Sequence, residues 1–135
     1  MVDSSQDIMF FPGEFGRSGG DLATVSNRAN LGQAILNRFN TRQGEMSQLG
    51  HPEYGSRLHL LMGKMNNDRT RNLAEIYIRE CLNQESRIAE IVEIRFEPPS
   101  RKLDKRNLLM ATIILKAVAD PDPMTIQVAV NLQGA

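Results

Sequence analysis

The sequence predicts an α+β domain: an amino-terminal arm, then two or three helices packed on a small, mainly antiparallel sheet. Three observations predict it. Apolar residues recur at helical spacing through the middle of the chain. They switch to alternation after about residue 90, and prolines at 98, 99, 121 and 123 cut that later part into strand-length runs. A chain of 135 residues suits one core and leaves little room for a second independent domain.

Residues 1–29 read as the arm, rich in turn formers around one short apolar group, Ile8 to Phe11. Short strands are expected on either side of Gly19 and Gly20. Residues 30–135 form the single α+β domain. Asn30 can cap a helix and Gln33 stands where a capping box closes; Leu31, Ala34, Ile35 and Phe39 then share one side, predicting a helix from about Leu31 to Phe39.

Gly44 and Gly50 relax the chain, and Pro52 suits the first position of a second helix whose apolar stripe is Tyr54, Leu58, Leu61 and Met62, ending at Gly63. A further helix begins near Asp68 and runs to Asn83 or Gln84, with Leu73, Ile76, Tyr77 and Cys81 as its buried face. In "IVEIRFE", Val92, Ile94 and Phe96 alternate with Glu93 and Arg95, as in a strand with one face in the core. Leu108 to Ala119 is apolar on both parities, which predicts a central or doubly covered strand. After "DPDP", the residues Met124, Ile126, Val128, Val130 and Leu132 occupy one face of a last strand.

The 16 basic residues balance 16 acidic ones, so overall charge offers nothing to nucleic acid or an anionic membrane. The cluster Arg101, Lys102, Lys105, Arg106 reads as a solvated loop, with a partner-facing patch as the other reading. Cys81 is the one cysteine and cannot form an internal disulfide. No apolar run reaches the roughly 18 residues of a membrane span, and no basic region precedes the first apolar group, so neither membrane insertion nor secretory export is expected.

Chemistry finds little support. Two histidines, His51 and His59, do not make a metal site without other convergent donors. Ser47, Ser56, His51 and Glu53 lack a nucleophile motif. Glu45, Glu53 and Glu85 could supply the paired carboxylates of glycan hydrolysis, but glutamates are also ordinary helix and loop groups. The glycines form no phosphate loop. No cofactor and no metal are expected, and the chain is expected not to be an enzyme.

Several short pieces stand in a telling order: Asp7-Ile8-Met9-Phe10, Gly20-Asp21-Leu22, Asn30-Leu31-Gly32-Gln33-Ala34-Ile35 with Arg38, Thr41 to Glu45, and His51 to Gly55. Together they resemble the GPW/gp25-like baseplate family of contractile phage tails and related contractile injection systems, over almost the whole chain. Glu85-Ser86-Arg87-Ile88 resembles a later Glu-Pro-Arg-Ile segment seen in relatives from type VI systems, with serine in place of the proline.

The resemblance implies a structural inner-baseplate wedge component that links the baseplate to the contractile sheath and templates sheath assembly. Its implied partners are the sheath protein and baseplate wedge proteins, with inner-tube or hub proteins as further neighbours. Its implied place is the baseplate of a phage tail or contractile injection particle, assembled in the cytoplasm. Glu85 and Arg87 are then the first candidates for an intersubunit polar contact, with local helix-to-strand bracing as the other reading. Thr125 to Asn131 is the expected sheet edge, with Thr125, Gln127, Ala129 and Asn131 as partner-binding residues. Two other functions stay open: a lysozyme-like peptidoglycan-degrading enzyme, since an acidic-lysozyme label attaches to part of the family, and a soluble regulatory adaptor on the same fold.

Overall fold

The computed structural model describes residues 8–11, 22–98, 101, 107–118 and 120–133, with the backbone alone for 8–11 and 22–25. A short strand β1 (Ile8–Phe11) precedes helix α1 (Leu22–Asn40); two 3-10 turns (Ser47–Leu49 and Leu58–Leu61) lead to helix α2 (Asp68–Leu82). Strands β2 (Ile88–Phe96), β3 (Leu108–Ala117) and β4 (Met124–Asn131) follow. The sheet has the order β1-β4-β3-β2, and each neighbouring pair is antiparallel. The α+β architecture is as the sequence predicts.

Helix α1 begins at Leu22 rather than Leu31, so residues assigned to the arm are helical and no strand follows Gly20. The stretch "LATVSNRAN" contains no glycine or proline to stop a helix, and Asn30 lies inside it instead of capping it. Leu31, Ile35 and Phe39 enter the core as their spacing predicts.

The helix expected from Pro52 is absent, and only the short turn Leu58–Leu61 forms there. The cause is the backbone at Gly55, whose φ of +108° belongs to the left-handed region. A Cβ on Gly55 would collide with the Thr41 carbonyl oxygen. Ser56 N–H donates to Thr41 O at 2.9 Å, and Gln43 N–H donates to Ser56 O at 3.0 Å. The chain is thus stitched to the end of α1 where a helix would have turned away. Leu58 and Leu61 still reach the core.

Helix α2 matches its predicted span, but its cap is Asn67, whose side chain accepts from Thr70 N–H at 3.0 Å. Its buried face is Thr70, Ala74, Ile78, Cys81 and Leu82. Ile76, expected inside, is half exposed; Leu73 and Tyr77 lie at the margin of the core. The true stripe uses small Ala74 where the helix comes close to the body, a position that a search for large apolar residues passes over.

Strand β2 departs from simple alternation. Its register against β3 is irregular between Ile88 and Glu90 and again between Ile91 and Glu93. An extra residue reverses the side on which later residues point. Val92, expected in the core, is therefore 47% exposed, while Ile94 is buried. Strand β3 is central, between β2 and β4, as its two-sided apolar sequence predicts. In β4, Met124, Ile126, Val128 and Val130 are all buried and Leu132 just beyond it is too.

The edge expectation needs correction. Gln127 to Val130 pair with β1 on one side and with β3 on the other, so this part of β4 is interior. The edges of the sheet are β1 and β2.

Candidate functional site: the Glu85 junction and the face of β4

Glu85 sits in the tight turn between α2 and β2, where its N–H donates to Leu82 O at 3.0 Å and its carbonyl accepts from Ile88 N–H at 3.2 Å. That turn carries the side chain inward, and Glu85 is 6% exposed. Two guanidinium groups meet it. Arg87 Nε and Nη2 donate to its two oxygens at 2.9 and 3.2 Å, and Arg38 Nε, from α1, donates at 3.2 Å. The Arg87 guanidinium above all, with Arg38 beside it, outweighs burial and holds the carboxyl down at about 2.

Arg38 reaches further. Its Nη1 donates to Gln84 Oε1 at 3.4 Å, and its guanidinium lies over the Tyr54 ring, 4.7 Å from the centroid. One arginine therefore ties the end of α1, the loop at Tyr54 and the α2–β2 turn. The geometry is that of helix-to-strand bracing. Arg87 is half exposed and presents its outer side to solvent.

Thr125, Gln127, Ala129 and Asn131 alternate along β4 and so share its face away from the core. Their register neighbours on β3 are Ile114, Thr112, Met110 and Leu108. Ala129 is fully buried and the other three are partly buried. The structure brings these four together, but β3 separates β4 from the strand that Glu85 and Arg87 precede, so the candidate residues form two places.

Among the carboxylates considered for glycan chemistry, Glu85 is held ionised and is unsuited to donate a proton at neutral pH. Glu45 and Glu53 are exposed. Glu53 lines a shallow cleft with Arg38, His51, Tyr54 and Gln84. His59 is not in that cleft; burial lowers its proton affinity. The thiol of Cys81 is pushed up to about 12 by burial, which leaves it protonated and unreactive. Among the described residues no cluster of His, Cys, Asp and Glu could hold a metal ion, and no helix is long and apolar enough to cross a membrane.

Two polar junctions have no local sequence signature. Arg28, 4% exposed on α1, pairs with Asp120 in the β3–β4 turn, 92 positions away, and its Nη2 lies 3.9 Å from an Asp122 carboxylate oxygen. Arg57 donates through Nε to Glu80 at 3.0 Å and lies 4.8 Å from the Tyr77 ring centroid. Such distant pairs become visible only when the fold brings their elements together.

Comparison with known proteins gives two results. The sequence model of the family described as contractile injection system sheath initiator matches residues 3–113. The structure is similar to the crystal structure of a candidate tail lysozyme from Geobacter sulfurreducens, with a TM-score of 0.66 and 20% identity, covering 81% of this chain and 94% of that one. No curated protein matches the chain. The second result stands against the expectation that the chain is not an enzyme, since that protein of the same fold is described as a candidate tail lysozyme. At this identity the likeness shows the fold and assigns no catalytic residue.

Proposed function

Because the chain belongs to the contractile injection system sheath-initiator family, we propose that it joins the inner baseplate wedge to the first sheath subunits and templates their assembly. Membership gives it a structural role associated with baseplate and sheath. The match over residues 3–113 is the observation that carries the finer reading, since it includes the arm, both helices and much of the sheet. Strand pairing at a sheet edge is the attachment that the architecture supports, because backbone groups there can be completed by another chain. Glu85 and Arg87 would act on the wedge side, with Arg87 offering its exposed face to a carboxylate. Assembly would take place in the cytoplasm before the particle is complete.

The test is recovery of partners by the tagged chain expressed with its native assembly genes. Wedge and sheath proteins are expected together in the eluate. A folded bait that recovers neither overturns the reading.

A second reading, glycan hydrolysis, is favoured by the likeness to the candidate tail lysozyme. Of the carboxylates considered, Glu53 and Glu85 each line a cleft, and Glu85 is held ionised by its arginines, which leaves Glu53 as the candidate. Purified protein incubated with peptidoglycan should then release soluble fragments, and Glu53→Gln should abolish the release. No release by the folded wild-type chain removes this reading.

A further inference from the structure

Helix α2 turns Thr70, Ala74, Ile78, Cys81 and Leu82 into the core. On its outer side Arg69, Leu73, Ile76 and Glu80 follow at steps of four, three and four, the spacing that lines side chains up in one seam along a helix. Ile76 is 50% exposed and Leu73 partly so, while Arg69 and Glu80 stand exposed at the two ends of the seam. The apolar surface continues past the helix. Arg57 lies against Tyr77 and donates to both carboxylate oxygens of Glu80, which holds the 3-10 turn Leu58–Leu61 alongside α2. Leu60 is one 3-10 turn on from Arg57, hence on the same side, and is 48% exposed. A single exposed isoleucine is unremarkable, but Ile76 with Leu73, Tyr77, Leu60 and Arg57 combines the apolar, aromatic and guanidinium groups of an interface centre.

The order of residues in the seam selects what covers it. Basic, apolar, apolar, acidic is a pattern that complements itself when reversed. Laid antiparallel on another α2, Leu73 meets the second copy's Ile76 and Arg69 meets the second copy's Glu80, and a two-fold axis repeats both contacts. A parallel pairing in the same register would set Arg69 on Arg69 and Glu80 on Glu80, like charge on like. Glu80 can take a second guanidinium, because its half-exposed carboxylate offers several acceptor sites and Arg57 uses only part of them. The seam from Arg69 to Glu80 is roughly 17 Å long, which suits a reversible association and not a permanent one.

We propose that the outer face of α2 is a docking surface for a second copy of this chain, packed antiparallel about a two-fold axis, with Leu73–Ile76 contacts at its centre and Arg69–Glu80 ion pairs at its ends. Pairing of this kind needs neither sheath nor wedge protein. Between free chains it covers an apolar stripe that otherwise faces water.

Sedimentation velocity of the full chain over a range of about 1 to 500 μM tests this, with half of the chains expected as dimer near roughly 50 μM. Ile76→Asp and Arg69→Glu should each stay monomeric throughout, with circular dichroism showing that they are folded. Arg69→Glu sets glutamate against glutamate at both ends of the seam, and Glu80→Arg sets arginine against arginine. Mixed in equal amounts, these two variants regain opposite charges at both ends, and the mixture should dimerise as wild type does. Wild type that stays monomeric over the whole range, or a dimer that Ile76→Asp leaves intact, overturns the inference. So does a mixture of the two folded charge variants that remains monomeric while wild type dimerises. Monomeric wild type that recovers wedge proteins, with the recovery lost in Ile76→Asp, also overturns it and gives the face to a wedge subunit.

Discussion

Arg38 and Glu85, 47 positions apart, meet at 3.2 Å across the junction of α1 with the α2–β2 turn, and the same carboxylate takes two hydrogen bonds from the Arg87 guanidinium. The carboxyl is held at about 2, below its ordinary 4.5. A depressed carboxyl contributes its full stabilisation above its unfolded value and loses it as pH falls towards the folded one. The difference amounts to a contribution on the order of 3 kcal/mol. Between pH 4.5 and 2, wild type should lose stability and Glu85→Gln should lose less, while at pH 7 the variant should be the weaker of the two. Urea midpoints measured across that pH range check this. Parallel curves for the two proteins would show that Glu85 is not held by its arginines.

Gly55 yields a second prediction. Its φ is +108°, and an added Cβ would strike the Thr41 carbonyl, which is itself engaged with Ser56 N–H. Neither backbone can retreat without breaking the stitch between α1 and the turn. Gly55→Ala should therefore destabilise by more than about 2 kcal/mol. Gly63 also has positive φ, +86°, but nothing lies near its missing Cβ. Gly63→Ala should cost about 1 kcal/mol, the conformational strain alone. Chemical denaturation of both variants measures the contrast, and equal losses would mean that crowding at Gly55 is unimportant.

The same glycine explains what the sequence could convey. Composition, the apolar face of β4 and the span of α2 were legible because each is a local pattern tied to a single period. The turn at Gly55 was not, since Pro52 and the stripe Tyr54, Leu58, Leu61 satisfy a helical template equally well until Thr41 blocks the path. The sequence predicts α1 too short because cap-like Asn30 is indistinguishable from a helix-interior asparagine without Arg28 and its distant partner Asp120. In the candidate site, Glu85 and Arg87 were legible from their motif, but Arg38 as their third member and β1 as the neighbour of β4 depend on tertiary placement.

The irregular register of β2 separates two residues that simple alternation treats alike. Val92 is 47% exposed and Ile94 is 8% exposed. Val92→Lys should alter stability by less than about 0.5 kcal/mol, because the ammonium remains in water. Ile94→Lys forces a charge into the core or empties its place, and should destabilise by about 3 kcal/mol or more. Thermal unfolding of the two variants tests the register directly. A severe effect at Val92 with a mild one at Ile94 would place the irregularity elsewhere.

Val128 is the most demanding position in β4. It is fully buried, and its register partners are Ala111 on β3 and Phe10 on β1. Proline there removes a backbone donor, fixes φ away from the extended range and discards a core side chain, three losses at one interior position. Val128→Pro should lower stability by more than about 3 kcal/mol and abolish sheath recruitment together with the strand. By contrast, a chain ending at Gln133 keeps Leu132, whose N–H donates to Asn107 O and whose carbonyl accepts from Gly63 N–H. That truncation should move the unfolding midpoint little, by less than about 0.5 kcal/mol, and leave recruitment intact. A Val128→Pro protein that folds and still recruits sheath would remove β4 from the attachment altogether.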